Sequence, residues 1–321
     1  MLINCVAYEQ GKKLSTITVE AISDYLGRPD CFVWVALQDP TPDELTEMQH
    51  EFGLHELAVE DARHGHQRPK IEEYADSLFS VLHIIELNGD EVSLGELNIF
   101  VGANYVLSVR NRTQQGFRSV RERCEREPRL LEQGPSFVYY ALMDAVVDRY
   151  FPVLDVLESE LEQIEEQIFG TSAALTNIQR LYKLKQKVIV LKHAVQPMLE
   201  SIGKLYGGRV PEICINSQEY FRDVYDHLYR INTAIDTIRD TVGMAMQANI
   251  SLVAIEESLV TKRLAAWAGI FAVATAFFGM WGMNFDFMPV LTWKYGYLVA
   301  MVTVTGVCGF LYYRFRKSGW L

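Results

Sequence analysis

Charged side chains are missing from Leu264 to Phe285 and again from Tyr295 to Tyr313, and proline is missing between Pro211 and Pro289. Each gap excludes something. At a helical rise of ~1.5 Å, an uncharged run of about 20 residues spans a hydrocarbon core of ~30 Å, so the chain is not an ordinary soluble one. The missing proline leaves a very long helix unbroken. Cysteine is scarce: Cys5, Cys31, Cys124, Cys214 and Cys308 are odd in number, far apart and without a CxxC pair. That argues against a disulfide framework or a thiolate metal site and suits a reducing compartment. No GxxxxGK[ST] loop occurs, so nothing indicates an ATP-driven pump. A formal net charge of -11 lacks the basic face of a nucleic-acid binder. The first thirteen residues have no basic start followed by an apolar core, so they do not read as a signal peptide. No nucleophile and base pair stands out, so neither an enzyme nor an organic cofactor is expected.

What is present is a two-span hairpin. Asp286 and Lys294 are the only charges between the apolar runs. Lys262 and Arg263 precede the first run, and Arg314, Arg316 and Lys317 follow the second. Basic flanks stay on the cytoplasmic side, which predicts a multi-pass protein of the cell (inner) membrane with both termini cytoplasmic. Trp281, Trp293, Tyr295 and Tyr297 fit an outer aromatic belt, and Tyr312, Tyr313 and Trp320 an inner one.

Upstream the pattern is first α/β, then helical. Phe32–Leu37, Leu78–Ile85, Leu97–Val101 and Tyr105–Val109 read as strands, the last two joined as a hairpin through Gly102-Ala-Asn104. Thr41-Pro-Asp-Glu44 reads as a capping box opening a helix. Leu154, Leu157, Leu161, Ile164 and Ile168 alternate three and four apart, as do Leu181, Leu184, Val188, Leu191 and Val195, which predicts an antiparallel helix pair turning at Phe169–Ser172. The acidic face of the first and the lysines of the second read as solvated faces. From Val224 to Val242 the same alternation predicts a helix running on into the first span, with Gly243 or Asn249 as the alternative break points. The expectation is an α+β membrane protein. It comprises a cytoplasmic α/β domain (1–134), a cytoplasmic helical hairpin region (135–210), a stalk helix (211–263) continuous with the first span (264–285), an external loop (286–294), a second span (295–313) and a basic cytoplasmic tail (314–321).

A helical hairpin cannot enclose a water-filled path alone, so several copies must associate within the bilayer. Ala268, Ala272, Thr275, Gly279 and Gly282 form a stripe of small residues that continues back through Leu264, Thr261 and Ser258. Such a stripe serves either close helix packing or a lumen. The second span is bulkier and reads as lipid-facing.

Gly282-Met283-Asn284, the stretch Tyr220–His227, Leu57–Asp61 with His66–Lys70, Asp144–Asp148 and the terminal Trp320-Leu321 together resemble the CorA family of magnesium channels over nearly the whole chain. The resemblance implies a homopentamer with a pore-lining first span and uptake of Mg2+, with Co2+ or Ni2+ as passengers. It implies a filter at Gly282, Met283 and Asn284, with Asp286 capturing external cations. A ring of Asn284 carbonyls suits a hydrated Mg2+, which sheds water reluctantly; read without the family, Asn284 is a helix C-cap. The resemblance further implies a regulatory Mg2+ between Glu60 and Asp61 of one subunit and Asp223 of the next, residues that otherwise read as surface carboxylates.

The chain departs from the family at Trp281, Val290, Ser258, Thr261, Ala272 and Val273, which leaves Leu264 as the expected hydrophobic constriction. Competing readings are a Zn2+ or Co2+/Ni2+ transporter of the same superfamily, against whose zinc branch Met283 argues, and a membrane-anchored metal-sensing scaffold.

Overall fold

The computed structural model describes residues 1–28, 30–89, 91–170, 174–207, 210–283 and 293–321. They fall into two units, one of Met1–Gly170 with Thr176–Met244 and the other of Thr171–Leu175 with Ala245–Leu321.

The first unit is built on a seven-stranded sheet: β1 (Leu2–Glu9), β2 (Lys12–Thr16), β3 (Cys31–Gln38), β4 (Lys70–Tyr74), β5 (Ser77–Asn88), β6 (Glu91–Val101) and β7 (Tyr105–Asn111). Their order is β2-β1-β3-β7-β6-β5-β4. All neighbours are antiparallel except β3 and β7, whose register pairs Val33 with Tyr105 and Leu37 with Val109. The expected hairpin closes with Val101 opposite Val106. A Cβ on Gly102 would lie 2.2 Å from the Tyr105 ring, so the turn requires glycine.

Helices α1 (Ile22–Leu26), α2 (Pro42–Phe52) and α3 (Glu56–His64) cover one face around Val33, Val35, Leu107 and Phe79. The capping box forms as expected: Thr41 Oγ1 accepts the Glu44 N–H at 3.3 Å, and Glu44 Oε2 accepts the Thr41 N–H at 2.8 Å. After α4 (Arg118–Arg126) and α5 (Pro128–Leu131) comes α6 (Pro135–Asp148), which packs on β5, β6 and β7. Its sequence carries no apolar stripe because Phe137, Val138, Tyr139, Ala141, Leu142 and Met143 are all buried, with Tyr140 half-buried among them. A helix apolar over most of its circumference is a core helix, so α6 belongs to the sheet packing more than to the helix pair after it.

The pair itself is α7 (Tyr150–Gly170) and α8 (Ala174–Tyr206), followed by α9 (Gln218–Trp281). The predicted seams are buried on all three, through Leu157 and Ile164, Leu184 and Leu191, and Leu228 and Ile235. Lys187 Nζ reaches Glu160 at 2.8 Å and Lys192 Nζ reaches Asp236 at 2.8 Å, so these two lysines pin helices together while Lys183 and Lys185 stay exposed.

Helix α9 is continuous over 64 residues, with no break at Gly243 or Asn249. Asn249, a weak helix former, is buried in the second unit, where its Nδ2 donates to the Ala174 carbonyl at 3.0 Å. The last helix, α10 (Gly296–Lys317), runs four residues beyond the expected span end at Tyr313, and its basic end suits a helix C-terminus. In the second unit α9 and α10 meet through Trp267 and Tyr312, with ring centroids 6.3 Å apart, and the Phe315 ring lies 3.8 Å from where a Gly269 Cβ would stand.

Candidate functional site

Two regions carry the chemistry. In the second unit α9 and α10 are long and apolar enough to cross a membrane, and 11% of the apolar stretch of each is buried within the chain. The rest needs cover from lipid or from other copies. Within the apolar span, α9 buries Ala266 and Ile270, and α10 buries Gly296 and Val304. Ser258, Thr261, Leu264, Ala268, Ala272, Thr275, Gly279 and Gly282 are all exposed. The small stripe is therefore not consumed by packing against α10. Thr275 Oγ1 donates to the Phe271 carbonyl at 2.8 Å, and a Cβ on Gly279 would meet nothing within 4 Å. Gly282 N–H closes the final turn on the Phe278 carbonyl at 2.9 Å, and Met283 is half exposed. Asn284 and Asp286 lie outside the described residues.

In the first unit α6 and α9 build a cluster of metal-ligating groups. Tyr140 stands one turn before Asp144, and Tyr220 nearly one turn before Asp223, and their rings pack with centroids 5.0 Å apart. Tyr139 packs on Phe221 at 5.5 Å. These contacts clamp the helices where the polar groups follow. One ligand atom each from Asp144, Asp223 and His227 lies within 4.8 Å of the others. Asp148 Oδ1 is 3.9 Å from His227 Nδ1, too far for a hydrogen bond, and that nitrogen is buried without one among the described residues. Arg123 of α4 donates to Asp144 Oδ2 from Nη1 and Nη2 at 2.9 and 3.0 Å, leaving the other carboxylate oxygen. Burial, then the charges of Asp144 and Asp223, push Asp148 above its ordinary range against the opposing pull of His227 and Arg123. Burial first and Asp144 second push Tyr140 up to about 12. The locality holds more negative charge than its cations balance.

That donor set fits a divalent cation. Oxygen ligands around Mg2+ stand ~2.0–2.1 Å from the ion, so donors on opposite sides of it are about 4 Å apart, close to the spread seen here. The imidazole adds a ligand favoured by Co2+, Ni2+ or Zn2+.

The carboxylates expected to hold regulatory Mg2+ between copies lie on α3 and α9. Glu60 is exposed on α3. Asp61 accepts from Lys70 Nζ at 2.7 Å, and Glu72 takes the same ammonium at 2.8 Å. Burial works to lower Lys70, but both hydrogen bonds outweigh it and hold the ammonium charged. Within one chain Asp223 meets Asp144 and His227, while Asp61 is occupied by Lys70. Sequence reasoning quoted Asp144 and His227 without giving them a role. The available signal was spacing: Asp144 with Asp148, and Asp223 with His227, are both i, i+4 pairs that share a helix face.

A two-span membrane protein with an α/β unit, and with a cluster of potential metal ligands between α6 and its long helix, is the class these features define. Residues 30–317 match the family described as CorA-like Mg2+ transporter protein. The cobalt/magnesium transport protein CorA of Thermotoga maritima is 32% identical over 84% of this chain and 78% of its own. The putative metal ion transporter YfjQ of Bacillus subtilis is 30% identical over 96% and 94%. The complete structure of the CorA magnesium transporter from Methanocaldococcus jannaschii superposes with a TM-score of 0.79, covering 100% of both chains at 21% identity. The chain belongs to the CorA family of divalent-cation transporters.

Proposed function

We propose that this chain forms a homopentameric channel for Mg2+, with Co2+ and Ni2+ as alternative cargo. It lies in the inner membrane with both termini cytoplasmic, and cations enter down the membrane potential. The observation that carries this reading is the exposed stripe from Ser258 to Gly282 on the face of α9 away from its buried Ala266 and Ile270. Copies arranged with that face inward present small and hydroxyl groups to a lumen, with Leu264 as the largest apolar ring. The potential suffices as the driving force: ~2.3 kcal/mol per charge per 100 mV gives a divalent ion about 4.6, more than three decades of accumulation.

Cytoplasmic Mg2+ closes the channel by binding at Asp144, Asp223 and His227, with Glu60 and Asp61 of a neighbouring copy completing the site once Lys70 yields. Asn284 and Asp286 serve as filter and capture residue.

Purified protein in liposomes, with an inside-negative potential set by a K+ gradient and valinomycin, tests the reading. Mg2+ should enter, and entry should fall when the potential is dissipated. Asn284→Ala at equal insertion should lose flux or selectivity. A wild-type protein that passes no Mg2+ under these conditions would overturn the proposal.

A further inference from the structure

A cavity of about 530 Å³ lies in the first unit between α4 and the sheet face opposite α1–α3. Its volume is that of small-molecule sites. Trp34 and Ala36 of β3, Ser108 of β7 and Leu97 of β6 form its floor. That floor is fixed: Trp34 Nε1 donates to Ser108 Oγ at 3.3 Å, and Ser108 Oγ donates to the Val35 carbonyl at 3.1 Å. The rim has the opposite charge to the molecule as a whole. Lys13, Arg110, Arg118 and Arg121 outnumber Glu122 and Glu125, in a chain of formal net charge -11.

Arg121 is the telling residue. Its guanidinium lies 4.8 Å from the centroid of the Trp34 ring, and its Nε is buried with no hydrogen-bond partner among the described residues. An unmet donor of this kind costs free energy unless an acceptor comes to it. Arg118 stands at the mouth with its side chain 92% exposed, bonded to Glu122 at 3.0 Å. Guanidinium forks match phosphate oxygens, and the apolar floor with the Phe117 wall suits a flat ring.

We propose that this cavity binds a mononucleotide, its phosphates on Arg118 and Arg121 and its base against the Leu97 and Phe117 side. Nothing in this assignment depends on the transport reading. Isothermal titration of the full-length protein in detergent with ADP, in excess EDTA so that no metal site contributes, tests it. ADP should bind saturably at one per chain, and adenosine and pyrophosphate should each bind about tenfold more weakly or worse, since each lacks half of the recognition. Arg118→Gln should lose about tenfold in affinity, the scale of one charge-assisted hydrogen bond, without touching the fold. Arg121→Gln should lose at least as much. If that variant fails to fold, Lys13→Gln at the exposed rim takes its place. Absence of saturable ADP binding, pyrophosphate binding as tight as ADP, or ADP affinity unchanged in these variants would each overturn the proposal.

Discussion

His227 sets the proposed metal site apart from an all-oxygen magnesium site. Asp144 and Asp223 supply hard oxygen ligands to any divalent ion, whereas an imidazole discriminates in favour of Co2+ and Ni2+. His227→Ala should therefore weaken Co2+ protection against limited proteolysis by about tenfold or more while changing Mg2+ protection much less. Asp144→Asn with Asp223→Asn should abolish protection by both ions, and Asp61→Asn alone should have the smaller effect because Lys70 already neutralises that carboxylate. Equal protection in all variants would leave these groups as surface charges. A second residue-scale consequence concerns acid stability. Burial pushes Glu86 upward, but hydrogen bonds from the Thr113 hydroxyl and, at 3.1 Å, the Gln115 N–H outweigh it and hold the carboxyl below its usual range. A lowered folded-state value means stability that is full above the unfolded carboxylate range and lost as pH falls through the folded value. Thr113→Val should cost about 1–3 kcal/mol at neutral pH, with the gap to wild type narrowing as pH drops below about 4, read from melting in detergent.

At the scale of elements, α9 decides most. Gly243 sits mid-helix where an added Cβ meets nothing within 4 Å, so Gly243→Ala should stabilise the protein by about 0.5–1 kcal/mol and raise its melting temperature. A loss of stability would mean that the position needs glycine for a reason other than packing. Leu264 is 67% exposed on the stripe and flanked by smaller residues. An apolar ring gates by dewetting, so Leu264→Ser should raise flux several-fold when internal Mg2+ is high. Unchanged leakage would place the constriction elsewhere. The long helices and both spans were legible because charge-free runs and three-four alternation act within one segment. The capping box at Thr41 was legible for the same reason. Strands β1 and β2 were not anticipated: Lys12–Thr16 is a short, polar edge strand, and Leu2–Glu9 finds its place only by pairing with β3. The burial of α6 on the sheet likewise erases the periodicity by which a helix is recognised.

For the whole molecule, the legible part of the site is what lies along one helix. The stripe on α9 could be read from spacing alone, and its exposure agrees with a role beyond the chain. Asp144 and His227 could not be paired from sequence, because their meeting depends on α6 packing against α9 some 80 residues later. Two helices with so little of their apolar surface buried need cover from lipid or from other copies, and the proposed pentamer predicts that cross-linking in the membrane traps a closed ring of five. Cysteine substitution along α9 tests the central claim that this stripe lines the cation path. Of the native cysteines, Cys5, Cys31, Cys124 and Cys214 are buried and Cys308 is half-buried, so wild type should serve as an unreactive background. In reconstituted channels, Ala268→Cys, Ala272→Cys and Gly279→Cys should each be blocked by a small charged thiol reagent, while Val302→Cys on α10 should not. Block at Val302→Cys, with flux through the three stripe variants untouched, would contradict the account.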